Sequence, residues 1–446
     1  MNKDLSIQIL GAGPAGLTTG FYANKNKIPI KIYESTSEVG GNCKTIIHGE
    51  FKFDTGAHRL HDKYNDVTSL IKKLLNKEII KVEAPSQIYY NGSMINFPLD
   101  IASTLREINF LQLSTIIKEV LFNTLKPVHA SENFKDLAYS SYGKTLSELF
   151  LINYTEKLWG EKAENLSVNI SGGRLRNHNL TSLLKGLFQR KNNEVNHLDG
   201  VFYYPVNGFG EIFNSLRDNI GLEKFSFNSP INTLEHDKSR VLNLGFGNNN
   251  FTKADLLIST LPLTTLVKSL DPIAPDQILE IVSKLNFRDL KLCVLYLDKP
   301  FFTKNASMYY PDIKFPFTRI YEPKNRSVKL APEKKTCIVV EVPCSKGDMI
   351  SRLEDSDLFN MVSSSLIQNK LINEVDIFDH TIINMPKAYP IISTDIESQL
   401  EPVFKYLKTF KNLYLAGRNA EFKYTHTHNI FKNANLLIEQ IIKTVN

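Results

Sequence analysis

Tryptophan and cysteine are scarce in this 446-residue chain, with one and four copies respectively. The cysteines, Cys43, Cys293, Cys337 and Cys344, lie far apart and lack the paired spacing of zinc ligands. That pattern excludes a disulfide scaffold, no metal is expected, and a reducing cytoplasm suits such thiol usage. The basic surplus is thin, a net charge of +6 spread along the chain. Without a concentrated basic run it points away from nucleic acid and toward a mild preference for anionic small molecules. Long apolar runs are missing as well. No window approaches the roughly 18 apolar residues of a membrane span, and Met1 to Ser6 lack the apolar core of a signal peptide. Internal repeats and low-complexity linkers are absent. What remains is an ordinary globular composition, 42% hydrophobic and 22% charged, long enough for two or three interleaved units around ample core.

The N-terminus carries the strongest local signal. Leu5-Ser-Ile-Gln-Ile-Leu10 is a short apolar strand that enters Gly11-Ala12-Gly13-Pro14-Ala15-Gly16, and Ala15 to Lys25 reads as a helix. Ile28 to Tyr33 then alternates as a second strand and ends on Glu34. In such a β-α-β unit Gly11 permits the tight turn, Gly13 lets backbone approach a pyrophosphate, and Gly16 allows close helix–strand packing. The helix N-terminus offers N–H groups and a positive dipole end to the phosphates. A carboxylate at Glu34 accepts ribose hydroxyls and repels a 2′-phosphate. The following Gly40-Gly41-Asn42-Cys43 places a second glycine pair against the same ligand, a continuation typical of flavoproteins that bury FAD in extended form. Cys43 itself is expected to be packed rather than redox-active.

Two later runs, Asp255 to Thr260 and Asn412 to Gly417, look like strands returning to the same sheet. The fold class expected is therefore α/β, a Rossmann-type FAD-binding domain interleaved with a helical domain and an antiparallel-sheet substrate domain. Residues 1–64, 196–284 and 386–446 are assigned to the first. Residues 65–195 form a helical insertion lining the active site, with apolar positions at helical spacing in Leu105 to Leu125 and Thr145 to Leu158. Residues 285–385 form a β-rich substrate domain.

Taken together, the glycine turn, Glu34, Gly40-Gly41-Asn42 and Phe53-Asp-Thr-Gly-Ala-His58 resemble the FAD-dependent amine oxidase and protoporphyrinogen oxidase superfamily, and within it the UDP-galactopyranose mutases. Tyr154-Thr-Glu-Lys-Leu-Trp159-Gly160 is similar to a mutase motif whose Tyr and Trp line a nucleotide-sugar pocket. Phe317-Thr-Arg319-Ile-Tyr-Glu-Pro-Lys324 is similar to a segment whose arginine engages substrate. Ala388-Tyr389-Pro-Ile391 resembles a segment whose tyrosine meets the diphosphate, and Gly417-Arg418 through Tyr424 resembles one that lies beside the flavin. The resemblance implies a small-molecule substrate, a nucleotide sugar of cell-surface polysaccharide synthesis, bound by Tyr154, Trp159, Arg319, Tyr389 and Tyr424. It implies His58 against the isoalloxazine ring and a homodimer as a compatible state. It also implies a catalytic arginine over the flavin, and the register leaves Arg174 and Arg176 both open, because Gly172-Gly-Arg-Leu-Arg-Asn177 lacks the family's proline. A further departure follows Tyr424, where Thr425-His-Thr-His428 stands in place of acidic residues. The other chemistry open to this frame is an oxidoreductase that removes hydride from an amine, alcohol or ring carbon.

Overall fold

The computed structural model describes residues 6–97, 107–125, 131–171, 201–247 and 250–445. Five parallel strands form the central sheet, in the order Leu413–Leu415, Leu256–Ser259, Ile7–Leu10, Ile30–Tyr33, Phe225–Ser226. Ile7–Leu10 is buried at every residue because both its neighbours and both sheet faces are covered, the condition under which a parallel strand loses its polar alternation. Both strands expected to return to this sheet do so, pairing Ile9 with Ile258 and Ile258 with Tyr414.

Helix Pro14–Lys25 begins with proline at its first turn and buries Leu17, Tyr22 and Ala23 against the sheet. The C-terminal helix Thr427–Val445 packs alongside it through Phe431, Ala434, Ile438 and Ile441. A four-stranded sheet built on the hairpin Ile231–His236 and Val241–Phe246 covers the other side.

The second large sheet has seven strands, in the order Ile377–Pro390, Phe287–Leu297, Thr336–Cys344, Arg319–Tyr321, Ser307–Tyr309, Ser86–Tyr90, Ser93–Phe97. Its last two strands come from residues 86–97, which lie within the stretch expected to be helical. They are joined by Asn91-Gly92, both at positive φ (47° and 90°), the backbone of a two-residue hairpin turn. Phe110–Leu125 is a helix as expected. It packs Leu113 and Ile116 inward, while Phe110 and Leu111 face outward, more than three-quarters exposed.

The helix expected over Thr145 to Leu158 is broken into three pieces. Lys144–Leu146 runs into a π-helical turn, Ser147–Ile152, and then into the α-helix Asn153–Trp159. A wide turn of this kind rotates everything after it about the helix axis, and here the residues after it are Tyr154 and Trp159. No helix among the described residues is long and apolar enough to cross a membrane, and all four cysteines are free thiols.

Candidate active site

A cleft opens at the C-terminal ends of the central parallel strands, where open α/β sheets bind ligands. Gly11, Glu34, Thr260 and Ala416, the residues that follow four of those strands, all line it. From Gly13, Glu34 and Gly41 it continues past Cys43, Thr55 and His58 to Tyr309, Arg319, Tyr389, Arg418 and Tyr424.

The nucleotide end has the steric demands of a backbone cradle. A Cβ on Gly16 would stand 1.9 Å from the Gly11 carbonyl oxygen, and one on Gly41 would stand 3.1 Å from the Cα of Gly13. Gly417, at φ +96°, lies so close to Ala15 that a Cβ there would come within 2.5 Å of the alanine methyl. No side chain caps the helix that starts after Gly13, so its first N–H groups are available to a phosphate. Glu34 already binds protein: one carboxylate oxygen accepts from Ala12 N–H at 2.8 Å, the other from Thr36 N–H at 2.9 Å and from the hydroxyls of Ser35 and Thr36. Glu34 itself lines the cleft that a ribose would enter. These residues fit FAD.

His58 stands at the middle of the cleft. Its ring stacks on Phe209, with centroids 5.1 Å apart, and Nε2–H donates to the Asn42 carbonyl at 3.1 Å. Burial, reinforced by Arg418, Arg326 and Arg319, drives its pKa down to about 3, so the ring is neutral at physiological pH. The Cys43 thiol lies 4.0 Å from Nδ1, and burial pushes its pKa up to about 12. It therefore stays a thiol, as expected of a packed rather than a redox cysteine.

Beyond His58 the cleft turns cationic. Among its described lining residues Arg59, Arg319 and Arg418 carry guanidinium groups, and Glu34, at the far end, is the only carboxylate. Arg418 donates to the carbonyls of Thr425 and Ala388 and lies over the rings of Tyr424 and Tyr389, at 5.0 and 5.4 Å. Carbonyls and π faces hold it in place without cancelling its charge. Arg319 is held differently. Its Nε and Nη2 make a fork of two 2.8 Å hydrogen bonds to Glu341, whose side chain is 1% exposed. Burial opposes the charge on Arg319, and the Glu341 carboxylate together with Tyr154, Tyr389 and Tyr309 overcomes it, so the guanidinium pKa is raised.

The expected substrate residues converge with different exposure. Tyr389 and Tyr424 line the cleft. Trp159 does not: it is 4% exposed and stands behind them, its ring 5.6 Å from Tyr389 and 5.7 Å from Tyr424. Tyr154 meets Tyr309 edge-on at 5.6 Å. Burial raises the Tyr389 pKa to about 12 and pushes Tyr154 well above the usual phenol range, so both remain hydroxyl donors. Arg174 and Arg176 lie outside the described residues.

Three contributors are not visible in the motifs. Tyr309 faces Arg319 across two antiparallel strands and lines the cleft. Arg288 closes the helix that carries Tyr154 and Trp159, donating to Lys157 O, Leu158 O and Pro343 O, with Gly160 in the left-handed conformation beside it. A bulge in Ile377–Pro390 sets Asp289 alone against residues 386–388, and the carbonyl of Lys387 accepts from both Asn42 and Asn419. That carbonyl ties the seven-stranded sheet to the glycine loop and to the C-terminal cofactor loop.

Comparisons with known proteins agree with this geometry. The family of flavin containing amine oxidoreductases matches residues 14–419. A protoporphyrinogen oxidase of Dictyostelium discoideum is 24% identical over 58% of this chain, and dTDP-fucopyranose mutase of Escherichia coli is 24% identical over 50%. The matched regions span 60% and 56% of those proteins' own lengths. The structure of reduced UDP-galactopyranose mutase superposes with a TM-score of 0.84 at 17% identity, covering 99% of this chain and 96% of that one, which establishes the shared fold. With its FAD cradle and a family match over nearly all its length, the chain is a flavoenzyme and belongs to the flavin containing amine oxidoreductase family.

Proposed function

We propose that this flavoenzyme acts on a nucleotide-activated sugar, as a mutase, in the synthesis of cell-surface polysaccharide. The observation that carries this reading is the arrangement beyond His58: two guanidinium groups, Arg319 and Arg418, with the phenols of Tyr309, Tyr389 and Tyr424 in one cleft. A nucleoside diphosphate brings two negative charges, which guanidinium forks and phenolic donors match. A cationic amine substrate would meet the uncancelled charge of Arg418 there and, among the described lining residues of that end, no carboxylate as counter-ion, so the amine-oxidase alternative is disfavoured. The likeness to dTDP-fucopyranose mutase and UDP-galactopyranose mutase supports the assignment.

Within this reading Gly13, Gly41 and Gly417 would hold FAD, which would supply the redox chemistry of the site. Arg319 turns toward the diphosphate the N–H groups that Glu341 does not use, and Arg418 adds a full positive charge. Tyr389, protonated at working pH, donates to phosphate oxygen. His58, neutral, holds the cleft wall without adding a competing charge. Trp159 backs Tyr389 and Tyr424 and keeps water from that side.

Replacing Arg319 by lysine tests the assignment, because lysine keeps the charge that neutralises Glu341 and loses the planar fork. Calorimetric titration with UDP is expected to show Kd rising about tenfold to a hundredfold, with FAD content unchanged. Loss of FAD, or an unchanged Kd for UDP, would place Arg319 outside the substrate site.

A further inference from the structure

Glu341 belongs to no motif and does not line the cleft, yet it touches both halves of the site. Its carboxylate closes the fork with Arg319. Oxygen Oε1 also accepts the backbone N–H of Ala57 at 3.1 Å. Ala57 precedes His58, whose own carbonyl is pinned by Nη1 of the fully buried Arg326 at 2.8 Å. The Gly56–His58 turn is thus gripped at its N–H by Glu341, at its carbonyl by Arg326 and at the imidazole by Asn42 O. One of these grips is shared with the arginine expected to meet substrate. The carboxylate lies at the centre of Thr336–Cys344, a strand buried at every residue. An acid there costs several kcal/mol unless its lone pairs are all engaged.

We propose that Glu341 is a positioning residue that locks the Arg319 guanidinium and the His58 turn into one unit, so that an anion bound on Arg319 is registered at the flavin edge of the cleft. The inference rests on the functional reading above for the identity of the anion, and on the family's cofactor for the flavin. The partition of charge supports it. Arg319 with Glu341 forms a neutral pair and Arg319 itself lines the cleft, so a diphosphate meets N–H groups held by the fork rather than a mobile cation. An anion drawing on those donors shifts the fork, and through Oε1 it shifts the hydrogen bond to Ala57.

The test is Glu341→Gln in the FAD-loaded protein, with Glu341→Asp as the companion should the glutamine variant not fold. Aspartate keeps the charge but is one methylene short of spanning Arg319 and Ala57 together. UDP and inorganic pyrophosphate serve as probes, and flavin absorbance and reduction potential are read with and without them. Wild type is expected to give a flavin difference spectrum with both probes. In E341Q the FAD stoichiometry is expected to hold while Kd for both probes rises about tenfold. The probe-induced difference spectrum should collapse, and the ligand-free flavin bands should shift because the His58 turn is released. A purely packing role would lower thermal stability and leave the difference spectrum intact. Wild-type Kd, spectrum and potential in both variants would overturn the inference. Failure of wild type itself to bind either probe would overturn the functional reading instead, and the ligand-free flavin bands of E341Q would then decide the role of Glu341 alone.

Discussion

Gly16 faces the Gly11 carbonyl at a distance where no methyl fits. Gly16→Ala must therefore push the helix off the strand, at a cost of about 3 kcal/mol or more. The expected result is protein purified without its yellow cofactor and with a thermal midpoint lowered by several degrees. Calorimetry and the 450 nm region of the spectrum check it. His58 makes a pH prediction at the same scale. Its pKa falls from about 6.5 in the unfolded chain to about 3 in the folded one, so the unfolded state holds more protons between those values. Stability is then complete above about pH 6.5 and falls as the pH drops toward 3. The ring borders an open cleft, so solvent trims the effect. Thermal midpoints of the apoprotein between pH 7 and 4.5 should fall more steeply for wild type than for His58→Gln. Parallel slopes would show that His58 protonates without penalty. Much of this scale is legible in the sequence, because the turn glycines obey local sterics: Gly11, Gly13, Gly41 and Glu34 line the cleft, while Gly16 lies against the Gly11 carbonyl behind it. Glu341 is not in any motif. Its one signal is a lone acid inside Thr-Cys-Ile-Val-Val-Glu-Val-Pro-Cys, a pattern that marks a buried charge needing a partner without naming Arg319 on the next strand.

At the scale of elements, the π-turn Ser147–Ile152 and the cap on Trp159's helix fix where the aromatic wall stands. Arg288 donates to three carbonyls and to the Ser345 hydroxyl and sits 3.5 Å from Asp348. Arg288→Leu leaves those acceptors unpaired and is expected to cost about 2–4 kcal/mol. The helix end bearing Trp159 should loosen, so UDP binding should weaken while FAD is retained. Denaturant unfolding and a UDP titration measure the two effects, and an unchanged midpoint would mean that water replaces the guanidinium freely. Lys157, in the same helix, donates to the carbonyls of Asp312 and Phe315 and holds that loop beside the cleft. Elements were legible where local signals are strong. The helix Pro14–Lys25 opens directly on the glycine turn, and the two returning strands are short apolar runs. The break after Leu146 carries no residue signature, since Ser147 to Ile152 keeps helical composition while its hydrogen bonds widen by one residue. The hairpin at Asn91-Gly92 did carry a signature, the turn pair between two short β-rich runs, inside a stretch otherwise read as helix.

Across the whole molecule, the site is assembled from segments that meet only in three dimensions. The Lys387 carbonyl binds Asn42 and Asn419, and Arg326 binds His58. In this way the seven-stranded sheet is fastened to both the first and the last loops of the cofactor cradle. Such long-range ties escape a sequence reading because no local rule links residues 42, 387 and 419. The depth of Trp159 escapes it for the same reason: the motif places a tryptophan near the nucleotide, and packing decides that Tyr389 and Tyr424 stand in front of it. What we propose for the assembled cleft is an anionic substrate, matched by phenols and arginines, beside FAD. The measurement that tests this most directly is anaerobic incubation of the dithionite-reduced protein with UDP-galactopyranose and, separately, with dTDP-sugars, followed by chromatography of the sugar nucleotides. The predicted result is a ring-size isomer that accumulates while the flavin stays reduced. The contradicting result is no isomer from any sugar nucleotide, together with bleaching of the oxidised protein by an amine or alcohol and release of peroxide in air.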